Sequence, residues 1–314
     1  MTLPVNTAAA AKATPDTAVS RAPGSKAEGK LAALLLAPTV IGIALFTLVP
    51  IIGSIALAFF DWDIISTPRF VGAKNFQTLA SSPTIRVSFL NTFAFVIVAV
   101  ALQISVALGL AVLVQSKMPG WLRSFFRSVF FFPLILSAAS VSLIMSYLFN
   151  EDFGTVNKLL GLIGMSPVHW LTSTTGAMIV TVLVYVWQNF GFTFLLFIGG
   201  LSSIPQDIYE ACDIDGASPM RRFWQITLPL VSPTMLVATV MAIIAALQIF
   251  DQPYVLTKGG PGDSTRTAVM VIYQSAFQEL QFGLAAAIGL VLMLIIMLVT
   301  WLQFRLSKRF VFYM

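Results

Sequence analysis

The apolar residues of this chain fall into long runs that no charged residue interrupts. A helix needs about 20 mostly apolar residues to cross a bilayer. Runs free of Asp, Glu, Lys and Arg lie between Lys30 and Asp61, between Arg86 and Lys117, and between Arg127 and Glu151. They predict spans at roughly 31–59, 88–114 and 128–149. Three more follow at 176–200, 226–250 and 283–304. Several contain proline: Pro38 and Pro50 in the first, Pro133 in the third, Pro229 and Pro233 at the start of the fifth. Spanning helices tolerate this, because neighbours and water satisfy the freed carbonyls. The first run is long enough to tilt or to break near Pro50.

Residues 1–30 differ. They are rich in Ala, Thr, Pro, Ser and Lys, with almost no large apolar residue. Such a segment cannot bury enough surface to offset its ordering entropy, so a disordered cytoplasmic tail is expected. It does not read as a signal peptide: the polar stretch is too long for an n-region and the next apolar run too long for an h-region. The pattern predicts an all-α integral membrane protein of about six transmembrane helices, with one membrane domain over 31–310.

Composition agrees. Of 314 residues, 58% are hydrophobic and 10% charged, against about 25% charged in soluble domains. The net charge is +5. A basic balance can point to nucleic acid, but no soluble segment carries a basic stripe interleaved with aromatics, so no nucleic-acid partner is expected. Membrane proteins keep Lys and Arg in cytoplasmic loops. With the N-terminus inside, the cytoplasm receives Lys12, Arg21, Lys26, Lys30, Lys117, Arg123, Arg127, Arg221, Arg222, Arg305, Lys308 and Arg309. The outside receives Arg69, Lys74, Arg86, Lys158, Lys258 and Arg266, which makes twelve against six and places both termini inside. The single cysteine, Cys212, excludes an intrachain disulfide. The single histidine, His169, is no basis for a metal site.

All acidic and basic residues fall in predicted loops or at span edges. An ion-coupled secondary transporter, the main alternative, usually buries an ionisable residue within a span. An intramembrane enzyme needs an acid, base, metal or activated nucleophile. The energy for transport is therefore expected from elsewhere, and the chain is not read as an enzyme. Gly24 to Lys30 fits G-x-x-x-x-G-K, but Leu31 stands where a P-loop needs Ser or Thr, and a span follows. Gly259-Gly-Pro-Gly262 reads as a tight extracellular turn.

The loop between the fourth and fifth spans is the informative stretch. Ser203 with Gln206 forms a candidate capping box, Pro205 suits a first turn, and Asp207 suits a helix N-terminus. Ile204, Ile208, Ala211 and Cys212 share one face at helical spacing. Gly216 permits a turn or a close backbone contact, and Ser218-Pro219 starts a second helix. An amphipathic helix lying on the membrane is one reading. Interfacial helices usually carry Lys and Arg, whereas this one carries Asp207, Glu210, Asp213 and Asp215, which suits a basic protein partner better.

The run Glu210-Ala211-Cys212, then Asp215-Gly216-Ala217, then Ile226, Leu228 and Pro229 resembles the EAA loop of binding-protein-dependent ABC importer permeases. One departure is Cys212, where that family usually has Ala. Gly200-Leu201-Ser-Ser-Ile204-Pro205 is similar to the Ala-Gly-Leu-x-x-Ile-Pro that usually precedes the loop. The stretch from Phe250 to Thr265 resembles the segment after span five in the carbohydrate-uptake branch, the maltose and glycerol-phosphate type. The resemblance runs over 31–310 and is closest over 200–266.

It implies a type I ABC importer permease fold with a core at about 87–305, in the cell membrane. It implies a second permease subunit, two cytoplasmic ATPase subunits that bind ATP and Mg, and an extracellular solute-binding protein. No cofactor is implied in this chain. Residues 204–217 would form the coupling helix. Glu210, Ala211, Asp215, Gly216, Ala217, Ile226, Leu228 and Pro229 would serve the ATPase contact, with Glu210 as charge partner and Gly216 as turn. The cargo would be a sugar or polyol. Sugars are held by amide hydrogen bonds and aromatic faces, which makes Gln103, Tyr185, Trp187, Gln188, Asn189 and Gln248 the pathway candidates. Hydrogen bonding between helices is the competing use of such residues.

Overall fold

In the computed structural model, which describes residues 26–115, 118–308 and 311, each predicted apolar run is helical, but two of the six are sharply broken. The chain divides into two units, one ending at Gly53 and one starting at Ser54. The first run is α1 (Lys26–Ile43), a π-helical turn (Ala44–Leu48) and α2 (Val49–Leu57). Pro50 cannot donate to the carbonyl four residues back, and the wider turn just before it absorbs the lost bond. Helix α1 begins at Lys26, inside the predicted tail. Residues 1–25, most of that tail, lie outside the described residues, as do Lys117 and Arg309.

The second unit opens with a feature the sequence did not announce. Strands β1 (Phe60–Asp61) and β2 (Arg69–Phe70) pair antiparallel, Phe60 opposite Phe70. Then come α3 (Lys74–Ser81), α4 (Pro83–Gln115), α5 (Gly120–Ile135), α6 (Ala138–Leu148) and α7 (Thr155–Leu162). The long helix α8 (Thr174–Ser202) is followed by the short helices α9 (Gln206–Ile214) and α10 (Pro219–Arg222). A π-helical turn (Phe223–Thr227) leads to α11 (Leu228–Leu230) and α12 (Ser232–Leu247). The unit closes with α13 (Asp251–Thr257), α14 (Ala268–Tyr273), a third π-helical turn (Gln274–Gln278) and α15 (Phe282–Ser307).

The predicted third span, 128–149, is not one helix. Helices α5 and α6 meet at 97°. Pro133 leaves a carbonyl of the preceding turn without its donor, and α5 ends at Ile135. The fifth run bends by 69° between Leu230 and Ser232, where Pro229 and Pro233 flank the break. Among the described residues, four helices are long and apolar enough to cross a membrane, and six spans result when each bent pair counts as one. Because α5 starts at Gly120, Arg123 and Arg127 ride on a helix rather than in the predicted loop.

The core lies between α4 and α8. Phe95, Phe194, Phe197 and Leu247 are fully buried there, with Ala99, Ala107 and Ala111 giving α4 a small-residue face. Lipid supplies no hydrophobic drive between helices, so close backbone approach and dispersion must hold them. Gly191 shows how close: a Cβ there would overlap the carbonyl of Phe130 on α5. The Phe130 ring then packs on Phe190 and Phe194 at 5.7 and 5.3 Å.

Between α6 and α8 a polar knot fixes the connection. Glu151 accepts from the Thr172 hydroxyl and, at 3.0 Å, from the Thr172 backbone N–H, and contacts His169 Nδ1 at 2.9 Å. Asn157 joins it through Val168 and the Trp170 indole. The Thr172 hydroxyl, more than His169, holds the Glu151 carboxyl down from 4.5 to about 2. A depressed carboxyl stabilises the knot above its ordinary value and loses that contribution as pH falls through its folded value. Amide-exchange protection at Thr172, corrected for intrinsic rates, is therefore expected to fall between pH 4.5 and about 2. Glu151→Gln should flatten that profile, and an unchanged profile in the variant would refute the assignment.

Candidate functional site

Two places draw the chemistry together, and both are organised by α8. The first is a cavity of about 290 Å³ lined by Leu134, Leu136 and Ala138 from the α5–α6 break, Tyr185, Gln188 and Asn189 from α8, and Ala245 to Gln252 excepting Ala246 and Leu247. It sits where two helices stop. Irregular backbone at membrane depth is tolerated only inside protein or beside water, and the α5–α6 and α12–α13 breaks both face this space. Gln188, 4% exposed, ties them together. Its Nε2 donates to the Leu136 carbonyl at 3.1 Å, and its Oε1 accepts from Gln252 Nε2 at 2.9 Å. Tyr185 is buried edge-on against Phe95, with its hydroxyl unpartnered among the described residues. Asn189 donates to the Tyr185 carbonyl at 2.9 Å, and exposed Gln248 closes the C-terminal end of α12.

Four of the six pathway candidates therefore meet: Tyr185, Gln188, Asn189 and Gln248. Two do not. Gln103 is 3% exposed and clasps α8, donating to Thr193 Oγ1 at 2.8 Å and to the Asn189 carbonyl at 3.4 Å. That is the interhelical use of an amide. Trp187 is absent from the lining and 39% exposed, because two residues along a helix turn it about 200° from Tyr185. The cavity also contains Phe250, at the end of the predicted fifth span, with Asp251 and Gln252 just after it, none of which is among the pathway candidates. Asp251 opens α13 and is exposed.

The second place follows the C-terminus of α8. The predicted capping box does not form. The Ser203 hydroxyl donates back to the Gly200 carbonyl at 2.7 Å, and Pro205 takes the N-cap position of α9. Ile204 precedes a proline, which disfavours the helical conformation a Ser203 cap would require. Ile204 is buried, while Ile208 and Tyr209 pack half-buried against the core. Ala211, predicted for the same face, is exposed, and Cys212 is half-buried. The helix ends as a Schellman motif: Ala217 N–H to Cys212 carbonyl at 3.0 Å, Gly216 N–H to Asp213 carbonyl at 3.3 Å. Gly216 has φ +67°, and a Cβ there would meet open space, so glycine is required for the turn and not for close packing. Ser218 caps α10 as its sequence predicts, accepting from Arg221 N–H at 3.4 Å.

The acidic residues divide into two roles. Asp213 is held within the chain by Arg222 Nη1 at 2.9 Å, and the Arg222 guanidinium lies 5.6 Å over the Tyr209 ring. The Tyr209 hydroxyl reaches Thr227 Oγ1 at 3.3 Å. Among the described residues Glu210 and Asp215 make no ion pair, and both are exposed. Beside them stand exposed Ile214, Met220 and Trp224, the first of them 87% exposed. Ile226, Leu228 and Pro229 are half-buried where this segment joins α12, so they brace it rather than face outward. Ala217 is half-buried at the turn. A charged, apolar-fringed surface of this kind suits a protein partner better than lipid.

The family described as the binding-protein-dependent transport system inner membrane component matches residues 103–312. The multiple sugar-binding transport system permease protein MsmF of Streptococcus mutans is 38% identical over 77% of this chain and 82% of its own. The sulfoquinovosyl glycerol transport system permease protein SmoG of Agrobacterium fabrum is 34% identical over 88% of this chain and 90% of its own. The trehalose/maltose transport system permease protein MalF of Thermococcus litoralis is 31% identical over 90% and 95%. Among solved structures, a chain of a bacterial ABC transporter that imports the acidic polysaccharide alginate superposes with a TM-score of 0.79. It shares 23% identity and covers 90% of this chain and 96% of that one, a likeness of fold.

Proposed function

Because the chain belongs to the family of binding-protein-dependent transport system inner membrane components, and is thus a membrane permease for carbohydrate uptake, we propose that it couples an ATPase to the α8 cavity through α9. The observation that carries this is the placement of both sites on one helix. Helix α8 holds Tyr185, Gln188 and Asn189 at its middle, and its C-terminus leads directly into α9. A partner that grips Glu210 and Asp215 would tilt α8 as a rigid body and move the cavity walls, which is an interface-driven alternating-access motion.

In this reading the N- and C-termini and α9 face the cytoplasm. Two ATPase subunits bind ATP and Mg there, and a second permease completes the pathway. An extracellular binding protein delivers a sugar or polyol. Amides at Gln188, Asn189 and Gln248 with the Phe250 ring offer what a polyhydroxyl ligand needs: fixed donors and acceptors beside an aromatic face. Asp251 at the rim disfavours an anionic cargo. The test is uptake of labelled maltose, maltotriose, raffinose, arabinotriose and glycerol in a strain deleted for this gene. Wild-type chain should restore uptake of one of them, and that uptake should vanish when cellular ATP is depleted. Uptake that follows the proton gradient instead would replace this reading with ion coupling.

A further inference from the structure

A row of aromatic rings leaves the cavity and ends at the opposite end of the unit from α9. Phe250 lines the cavity. Its ring stacks on Tyr254 at 4.9 Å, Tyr254 meets Tyr273 at 5.5 Å, and Tyr273 meets Phe277 at 5.4 Å. Phe277 meets Phe282 at 6.2 Å, and Phe282 meets Trp62 at 6.4 Å. The ends are fixed by hydrogen bonds. Phe282 N–H donates to the Trp62 carbonyl at 3.0 Å, and Gln115, at the far end of α4, reaches Ser202 beside α9 at 3.1 Å. Asn91, near the start of α4, holds the carbonyls of Asp263 and Arg266 in the loop between α13 and α14. Six elements and linkers contribute one ring each, so no single run of sequence shows the row.

Two features argue against plain core packing or lipid contact. Phe277 is 66% exposed. Its neighbours are mostly polar: Gln278, Glu279 and Gln281 are exposed beside it with Leu280 between them, and Gln274 donates to Glu279 at 3.1 Å. A carboxylate facing hydrocarbon would be costly, so this surface meets water. Rings with amides and a carboxylate at their edges are the chemistry that receives a saccharide, whose C–H faces lie on the ring while its hydroxyls bond the fringe.

We infer that Trp62, Phe282, Phe277, Tyr273 and Tyr254 form a carbohydrate-stacking track that passes the cargo from the outer rim to the cavity. The inference rests on the carbohydrate reading above. It is tested in the assembled importer with Phe277→Leu, which keeps apolar bulk and removes the ring, and with Phe277→Tyr, which keeps the ring. In the deletion strain, on whichever sugar of the panel wild type restores, Phe277→Leu should lower the maximal uptake rate roughly three- to tenfold. Phe277→Tyr should stay within about twofold, both at wild-type membrane levels. Wild-type uptake by Phe277→Leu, or an equal loss in both variants, overturns the track while leaving the transport reading intact. Failure of wild type to restore any sugar removes both together.

Discussion

Glu210→Lys is expected to cut uptake below about a tenth of wild type while leaving the protein at normal membrane levels. The two halves of that expectation have separate causes. Glu210 is exposed and makes no ion pair among the described residues, and surface substitutions of that kind usually change stability by within about 0.5 kcal/mol. Once a basic partner covers α9, the same position is desolvated. Losing one member of a buried charge pair costs about 2–5 kcal/mol, and a like charge adds repulsion. At about 1.4 kcal/mol per tenfold, coupling falls well over tenfold. Co-purification of the ATPase should fall in parallel. Asp213→Asn is the contrasting variant: it releases Arg222 inside the chain and should trim stability modestly without removing the partner's contact. Normal uptake by Glu210→Lys, or equal losses in the two variants, would move the coupling surface elsewhere.

Much of the architecture was written in the charge-free runs, because a bilayer admits few alternatives to a helix of sufficient length. What the runs did not reveal is where helices stop. A proline in a span is compatible with a mild kink or a full break, and the choice depends on whether the carbonyls left at the helix end find partners. At Pro133 the chain turns by 97°, and the Leu136 carbonyl just beyond is met by Gln188 from another helix. That partner is 52 residues away, so no local pattern could announce it. Trp187 is a different case. Helical phase alone puts it away from Tyr185 and Gln188, and treating the cluster as one patch ignored that signal. Ser203 shows the same in small: the proline two residues on already disfavoured the cap.

Asp251, Gln252 and most of the aromatic row were missed for a common reason. They lie in the stretch that hydropathy reads as loop between the fifth and sixth spans, yet that stretch folds into α13 and α14 and returns to the cavity. Gln252 is 5% exposed although it sits among residues that sequence assigns to the outside. The cavity is therefore made where two discontinuities meet, and the buried amides of Gln188 and Gln252 close them.

Gln188→Leu should then be the most damaging change in the cavity. The substitution keeps the side-chain bulk and removes both polar atoms. It leaves the Leu136 carbonyl without its donor and Gln252 Nε2 without its acceptor. Each stranded group costs about 1–3 kcal/mol when dry, and water entering the cavity will recover part of that. A loss of roughly 2–4 kcal/mol is a large share of the stability of a native protein. It should lower the midpoint of thermal unfolding in detergent by several degrees. Uptake should fall further than stability does, because the α5–α6 and α12–α13 breaks would no longer be held to α8 during its tilt. A Gln188→Leu protein that unfolds and transports like wild type would show that the amide bridges nothing of consequence, and the cavity would lose its claim to the pathway.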